Sequence, residues 1–251
     1  VYDEETFEQI KFAIHCKEDI DELKYAPNAK YLAVGSHDNY VDLLDVANDY
    51  AMLCRLAGHS SYIKHIDWSA DSRVIQSVCG GYEVLYWNVA TGRQFRSTHD
   101  SVGSDTIWAD WTSSLGFPVM GIYPPDADGT DVNAVHRTRD GRLIAVADDF
   151  GAISLFCAPV TCRHAARRQY WGHSSHVTCA RFVHGDTYLI TCGGGDAAVF
   201  VWAIADGDWN NTGPNHKSDS PNEIVMRPLA ARPAWLSGLK MATVVDTIDD
   251  A

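Results

Sequence analysis

The sequence repeats itself, and this repetition restricts the possible fold more than any other feature. Four segments align with at most one inserted residue: 20–46, 63–89, 132–158 and 177–204. Within each segment apolar residues alternate with polar ones, β-branched and aromatic types recur, and turn-forming residues separate the runs. This period of two is typical of short β-strands joined by tight turns. Three or four antiparallel strands in a repeat of about 43–45 residues predict an all-β fold of β-propeller blades.

Two of the segments carry a further signature. Gly58 and His59 precede the second segment, and Trp87 follows at its end; Gly172 and His173 precede the fourth segment, which has a Trp at the same place. This pattern resembles the Gly-His … Trp-Asp repeat of the WD-repeat (WD40) family. In that family a His, a Ser or Thr, an Asp and the Trp form a buried hydrogen-bond chain, because a buried imidazole and a buried indole N–H each need a partner.

The resemblance assigns these structural residues in two blades. The fourth blade has the complete set, and the second blade has three members with Gly81 where the Asp is expected. The residues are His173, Thr191, Asp196 and Trp202 in the fourth blade, and His59, Ser77 and Trp87 in the second.

The same residues argue against an enzyme. A His, an Asp and a hydroxyl also compose a nucleophilic triad, but the repeat places them in a buried position that no substrate reaches. The tripeptide Asp149-Phe150-Gly151 lacks the other kinase motifs, and the His and Cys residues lack a zinc-binding spacing. We therefore predict no catalytic, cofactor-binding or metal-ligating residues.

Seven longer strings point to a narrower family. In this order they resemble the C-terminal propeller of the echinoderm microtubule-associated protein-like (EMAP-like) family, and the resemblance covers about residues 20–204. The strings are YLAVGSHDN (31–39), GHSSYI (58–63), YEVLYW (82–87), LGFPVMGIYP (115–124), DGTDVNA (128–134), DDFG (148–151) and GHSSHV (172–177).

The EMAP-like resemblance implies a function and an organisation. Members of that family carry a tandem atypical propeller domain and bind tubulin or microtubules, so we expect a non-enzymatic cytoskeletal interaction platform. The partners would be tubulin, microtubules or microtubule-associated proteins, and the location would be the cytoplasm and its cytoskeleton, including the axoneme of a cilium or flagellum. The alternative is a scaffold subunit of another assembly, axonemal or trafficking, without direct tubulin contact.

The expected organisation has three parts. Residues 1–19 are read as the end of a preceding blade and an outer strand, with the outer strand over 7–16. Residues 20–204 form the WD-repeat blades, with an insertion at 97–131 between the second and third blades. Together with the preceding residues this gives about four full blades plus a partial one, as part of a larger tandem propeller. Residues 205–251 are read as a linker and a C-terminal tail, either an arm that docks on a neighbour or a loose terminus. Open blade edges expose unpaired backbone, so contact with further blades, upstream or in another chain, is expected.

The insertion is rich in aromatic residues and proline. One interpretation is strand packing beside a rigid loop, and the other is a protruding surface that engages a partner. The candidate partner-binding residues are Trp108, Trp111, Phe117 and Tyr123.

The charge limits the class of partner. The net charge is −13, and residues 1–50 hold 12 acidic and 4 basic residues. That acidic start is either a solvated face or a patch for a basic partner. An acidic chain repels phosphate, so nucleic acid is excluded as a partner. The sequence contains no apolar run of about 18 residues, so we predict no transmembrane helix. Because tubulin is also acidic, a tubulin contact should be local and partly apolar.

The 7 cysteines are odd in number and lie mostly among apolar residues, which favours free thiols.

Overall fold

The computed structural model shows an all-β chain, as predicted. It describes residues 1–3, 5–12, 16–96, 102, 106–123, 129–207 and 223–228. In these residues the strands form four antiparallel sheets of four strands each, and each sheet is one propeller blade. The chain divides into two compact units, Val1–Ala109 and Asp110–Ala251, and each unit holds two blades.

The first unit contains blades one and two. Consecutive strands pair in chain order in both blades, so each blade is an antiparallel meander. Blade one consists of β1 (Ile20–Tyr25), β2 (Tyr31–Ser36), β3 (Tyr40–Asp45) and β4 (Ala51–Ala57). Blade two consists of β5 (Ile63–Trp68), β6 (Val74–Cys79), β7 (Val84–Asn88) and β8 (Arg93–Gln94).

The second unit contains blades three and four, with the same meander order. Blade three consists of β9 (Val132–Arg137), β10 (Leu143–Asp148), β11 (Ala152–Cys157) and β12 (Arg167–Trp171). Blade four consists of β13 (Val177–Val183), β14 (Tyr188–Gly193), β15 (Val199–Gly207) and β16 (Glu223–Pro228).

Strand β16 differs from the reading of residues 205–251 as linker and tail. Strand β15 continues to Gly207. Strand β16, which begins 16 residues later at Glu223, pairs with β15 in antiparallel orientation. The buried side chain of Met226 anchors β16, and its amide donates to the Tyr170 hydroxyl at 3.1 Å. The described part of the tail is therefore the fourth strand of its own blade rather than an arm on a neighbour. Residues 208–222 and 229–251 lie outside the described residues.

The beginning of the chain also differs from expectation. The described residues before β1 hold an isolated bridge between Tyr2 and Gln9, and the described part of 7–16 forms no regular strand. Residues 13–15 of that predicted strand lie outside the described residues. The Asp3 carboxylate accepts hydrogen bonds from the amides of Glu5 and Thr6, which turns the chain at that point.

The hydrophobic core of each unit lies between its blades. In the second strands β2, β6 and β10 five of the six residues are buried, so side chains on both faces of these strands are covered. In the first unit Leu43, Ile66 and Trp87 pack in one cluster. In the second unit Ile153, Phe182 and Trp202 do the same.

The remaining general features are simple. The seven cysteines all lie in described residues and carry free thiols. In the part of the chain that the structure describes, no helix has the length and apolar character needed to cross a membrane.

Candidate interaction surface

The fourth blade brings its four predicted polar residues into one chain of hydrogen bonds. The Trp202 indole Nε1–H donates to Thr191 Oγ1 at 3.0 Å, and Thr191 Oγ1 lies 2.9 Å from His173 Nε2. On the other side of the ring, His173 Nδ1 lies 2.9 Å from Asp196 Oδ2. A carboxylate only accepts, so the neutral imidazole carries its hydrogen on Nδ1 and accepts the Thr191 hydroxyl hydrogen at Nε2.

Asp196 is held as an anion by the turn around it. Burial by itself raises its pKa, but hydrogen bonds from the Ala198 amide, His173 and the Ser174 amide outweigh burial and keep the pKa of Asp196 below its usual value. The network thus joins the turn before β13, strand β14 and strand β15. Its two middle members, His173 and Thr191, are buried.

The second blade has the same chain but ends it differently. The Trp87 Nε1–H donates to Ser77 Oγ at 2.7 Å, and Ser77 Oγ lies 2.6 Å from His59 Nε2. The carboxylate facing His59 is Glu83, two positions beyond Gly81, where the Asp was expected. Glu83 Oε2 accepts the Ser60 amide at 2.9 Å, as Asp196 accepts the Ser174 amide. It lies 3.5 Å from His59 Nδ1, which is long for a hydrogen bond.

Sequence reasoning missed Glu83, because it looked only at the position of the Asp. The signal was present: a longer acidic side chain follows the glycine turn by two residues and reaches back to the same amide. Burial lowers the pKa of His59, while the nearby Glu83 partly opposes that effect.

The structure separates the four aromatic residues proposed for partner binding. Trp111 is interior, with 2% of its surface exposed, and its Nε1–H donates to the Ser113 carbonyl oxygen at 2.8 Å. Tyr123 is half-buried and donates its hydroxyl to the Ser114 carbonyl oxygen at 2.7 Å. Trp111 is therefore not available to a partner, and Tyr123 serves at least partly to hold the loop. Composition alone cannot distinguish such anchors from surface residues.

Trp108 belongs to the first unit and is also half-buried. It forms an isolated bridge with Ser69, and its ring centroid lies 6.2 Å from that of Tyr86. It extends the edge of blade two next to the exposed Ile107.

Phe117 is the one of the four whose ring is mainly exposed, at 65%. It begins a short 3₁₀ helix, Phe117–Val119, and Met120 directly after that helix is 61% exposed. Val119 between them is fully buried and holds the turn in place. Sequence reasoning named Phe117 and missed Met120. Residues 124–128 of the insertion, like 97–101 and 103–105, lie outside the described residues.

The turn that carries Phe117 and Met120 is fixed to the connection between β11 and β12. The Val160 amide donates to the Pro118 carbonyl oxygen at 2.8 Å, and the Gly121 amide donates to the Val160 carbonyl oxygen at 2.7 Å. A Cβ atom at Gly121 would lie 2.1 Å from the Cys162 carbonyl oxygen, so only glycine allows this close approach. Two backbone hydrogen bonds and this close approach therefore tie the two segments together.

This connection is basic in an otherwise acidic chain. Arg163 and His164 follow Cys162 and are exposed. We define the insertion surface as Phe117, Met120, Arg163 and His164: two exposed apolar side chains carried by a fixed turn, with two basic residues on the adjoining segment. An exposed apolar side chain on a rigid support is a common feature of protein-binding surfaces.

Blades of four antiparallel strands and Trp–hydroxyl–His chains define this molecule as a WD-repeat β-propeller. The solved β-propeller domain of Cps50 (Swd1) from Myceliophteria thermophila is similar in fold, with a TM-score of 0.58 and 16% identity; the match covers 84% of this chain and 72% of that one.

The family follows from sequence comparison. A family model described as the echinoderm microtubule-associated protein second beta-propeller matches residues 1–204. Echinoderm microtubule-associated protein-like 3 of Homo sapiens is 41% identical over 226 residues, which are 88% of this chain and 25% of that protein. The 77 kDa echinoderm microtubule-associated protein of Lytechinus variegatus is 44% identical over 75% of this chain and 28% of its own. Echinoderm microtubule-associated protein-like 2 of Rattus norvegicus is 45% identical over 77% of this chain and 30% of its own.

The chain belongs to the echinoderm microtubule-associated protein family and contains its second β-propeller, which confirms the resemblance read from the sequence. It spans about a quarter to a third of the length of these relatives.

Proposed function

We propose that this propeller is a non-enzymatic platform for protein interaction that attaches to microtubules or tubulin. The observation that carries the proposal is the family membership, because the matched relatives are named as microtubule-associated proteins. The fold agrees with such a role, since rigid blades hold exposed loops in fixed positions.

The insertion surface is the proposed contact. Phe117 and Met120 offer apolar area to a partner, and the turn beneath them needs no ordering on binding because Val119 and the Val160 segment already fix it. Arg163 and His164 suit an acidic partner, and tubulin is acidic. The body of the chain has the opposite property, since its net charge of −13 repels such a partner.

The affinity of this contact should therefore come from burial of the apolar side chains more than from charge attraction. Exposed charge pairs weaken as ionic strength rises, whereas burial of apolar area does not. We expect binding to fall only slightly when salt is raised, and a steep loss would show that charge attraction dominates.

Co-sedimentation with microtubules tests the proposal. The unmodified chain should sediment with microtubules, and the Phe117→Ser/Met120→Ser variant should bind about tenfold more weakly or worse. Phe150→Ser is the matched control, because Phe150 is equally exposed, at 68%, but lies in the turn between β10 and β11. Equal binding by all three proteins would remove the insertion surface from the proposal.

A second outcome would favour the alternative function. If the unmodified chain does not bind microtubules or tubulin, but recovers an axonemal or trafficking complex without tubulin, the propeller is a scaffold of that complex. The axonemal location belongs to this proposal as well, and imaging of the tagged protein in ciliated cells tests it.

A further inference from the structure

Blade two places an imidazole, a thiol and a carboxylate close together, and all three are metal-ligating groups. The fourth blade has the imidazole and the carboxylate, but a glycine stands at the position of the thiol. A ring nitrogen of His59, Cys79 Sγ and a Glu83 carboxylate oxygen all lie within 4.8 Å of one another. Cys79 Sγ is 3.3 Å from Glu83 Oε2, and His59 Nδ1 is 3.5 Å from the same oxygen. His59 lies in the turn before β5, Cys79 ends β6, and Glu83 directly precedes β7.

His59 Nδ1 is the unusual member of the cluster. The His59 side chain is fully buried, and Nδ1 has no hydrogen-bond partner among the described residues. A buried polar nitrogen without a partner costs about 1–3 kcal/mol, so such a group calls for an explanation. It points toward Glu83 and Cys79, so a ligand between the three groups would satisfy it.

The fourth blade shows what the cluster replaces. Gly193 holds the register position of Cys79, since Gly193 pairs with Val177 as Cys79 pairs with Ile63. A Cβ atom at Gly193 would lie 1.8 Å from Asp196 Oδ1, so the fourth blade has room only for the carboxylate. In blade two the carboxylate belongs to Glu83, four residues after Cys79, and the Cys79 thiol lies where Asp196 lies in blade four.

We propose that His59 Nδ1, Cys79 Sγ and Glu83 bind a zinc ion in blade two. Zinc bonds of about 2.0–2.3 Å place tetrahedral ligand atoms about 3.3–3.8 Å apart, and the two shorter separations in the cluster already match. A thiolate with an imidazole selects zinc over magnesium or calcium, which prefer oxygen ligands alone. The fourth ligand would be water on the side of Glu83, whose side chain is 39% exposed.

The Trp87–Ser77–His59 chain supports this site. A zinc-bound His59 carries its hydrogen on Nε2 and donates it to Ser77 Oγ, which has a second lone pair for the Trp87 indole. Such a hydrogen bond orients a metal-ligating histidine ring and fixes its tautomer. The zinc ion would thus replace the loose carboxylate contact of blade two with three direct bonds.

Titration of the purified, metal-free chain with Zn²⁺ and with Co²⁺ tests the proposal. We expect one Zn²⁺ per chain by calorimetry, a higher Tm with Zn²⁺, and a thiolate-to-cobalt charge-transfer band with Co²⁺. Cys79→Ser should abolish the cobalt band and weaken Zn²⁺ binding by tenfold or more, and Glu83→Gln should weaken it by about tenfold.

Cys54→Ser is the matched control, because Cys54 is a half-buried thiol of the same unit on β4. It should leave both the cobalt band and Zn²⁺ affinity unchanged, and circular dichroism checks that each variant is folded. Absence of any thiolate-to-cobalt band in the unmodified chain would overturn the site without reference to a variant. A band that Cys79→Ser leaves intact would also overturn it.

Discussion

Blades two and four build the same Trp–hydroxyl–His chain and complete it with different carboxylates. In blade four Asp196 contacts His173 Nδ1 at 2.9 Å and accepts two backbone amides as well. In blade two Glu83 accepts the Ser60 amide but stays 3.5 Å from His59 Nδ1. The buried Trp–hydroxyl–His part of the hydrogen-bond chain is thus the same in both blades, whereas the carboxylate at its end differs. The hydroxyl must satisfy an indole and an imidazole in the core, whereas the carboxylate sits where water also reaches.

The central hydroxyl should matter most, and to a similar degree in both blades. Ser77→Ala and Thr191→Val each leave one indole N–H and one imidazole nitrogen without a partner in the core. We expect each change to lower the free energy of unfolding by about 2–4 kcal/mol, measured by urea denaturation. Thr178→Val is the control: this exposed Thr donates only to a carbonyl oxygen at 3.1 Å, and its loss should cost less than about 0.5 kcal/mol. Costs as small as the control for both hydroxyls would mean that the chain contributes no stability.

The next largest effect is expected at Gly193, which holds in blade four the register position that Cys79 holds in blade two. Gly193→Ala places a Cβ atom against Asp196 and 2.6 Å from His173 Nδ1, and should cost about 1–3 kcal/mol through overpacking. The contact with Asp196 predicts a partial rescue, because Gly193→Ala should cost less in an Asp196→Gly background, where only the contact with His173 remains. The double-mutant cycle from urea denaturation measures this coupling. Additive costs would place the strain elsewhere.

Neutralising the carboxylate should lower the free energy of unfolding more in blade four than in blade two. Asp196→Asn weakens several charge-assisted hydrogen bonds and should cost about 1–2 kcal/mol. Glu83→Gln, tested with a chelator present, should cost less than about 0.5 kcal/mol, because the amide oxygen still accepts the Ser60 N–H and the contact with His59 is long. Equal costs would show that Glu83 holds His59 as firmly as Asp196 holds His173.

The smallest expected effect is a pH dependence from blade two. Burial lowers the pKa of His59, so below its ordinary value of 6.5 the unfolded chain binds a proton that the folded chain does not. His59 should therefore make stability fall as the pH drops from about 6.5 toward its folded pKa, and contribute no pH dependence above that window. The difference in unfolding free energy between pH 7.5 and 5.5 should be smaller in His59→Gln than in the unmodified chain. An unchanged difference would mean that other groups produce the pH dependence.

Much of the fold was predictable from the sequence, because strand alternation and turn residues repeat. Local pattern does not show which partner a side chain meets, and the missed features share that cause. Glu83 follows a glycine turn by two residues and reaches back in space. Strand β16 returns after a polar stretch that reads as a linker. Trp111 and Phe117 have the same aromatic character, yet one is interior and the other exposed, because only three-dimensional packing decides which face of a loop is covered.

The most direct test of the contrast between the blades is nitrogen-15 NMR of the histidine rings in the metal-free chain. We predict a hydrogen on Nδ1 in both His59 and His173, since each Nδ1 faces a carboxylate. The Nδ1–H of His173, bonded to Asp196, should exchange with water slowly, and that of His59 should exchange faster. Equal exchange rates, or a hydrogen on Nε2 of His173, would contradict the account.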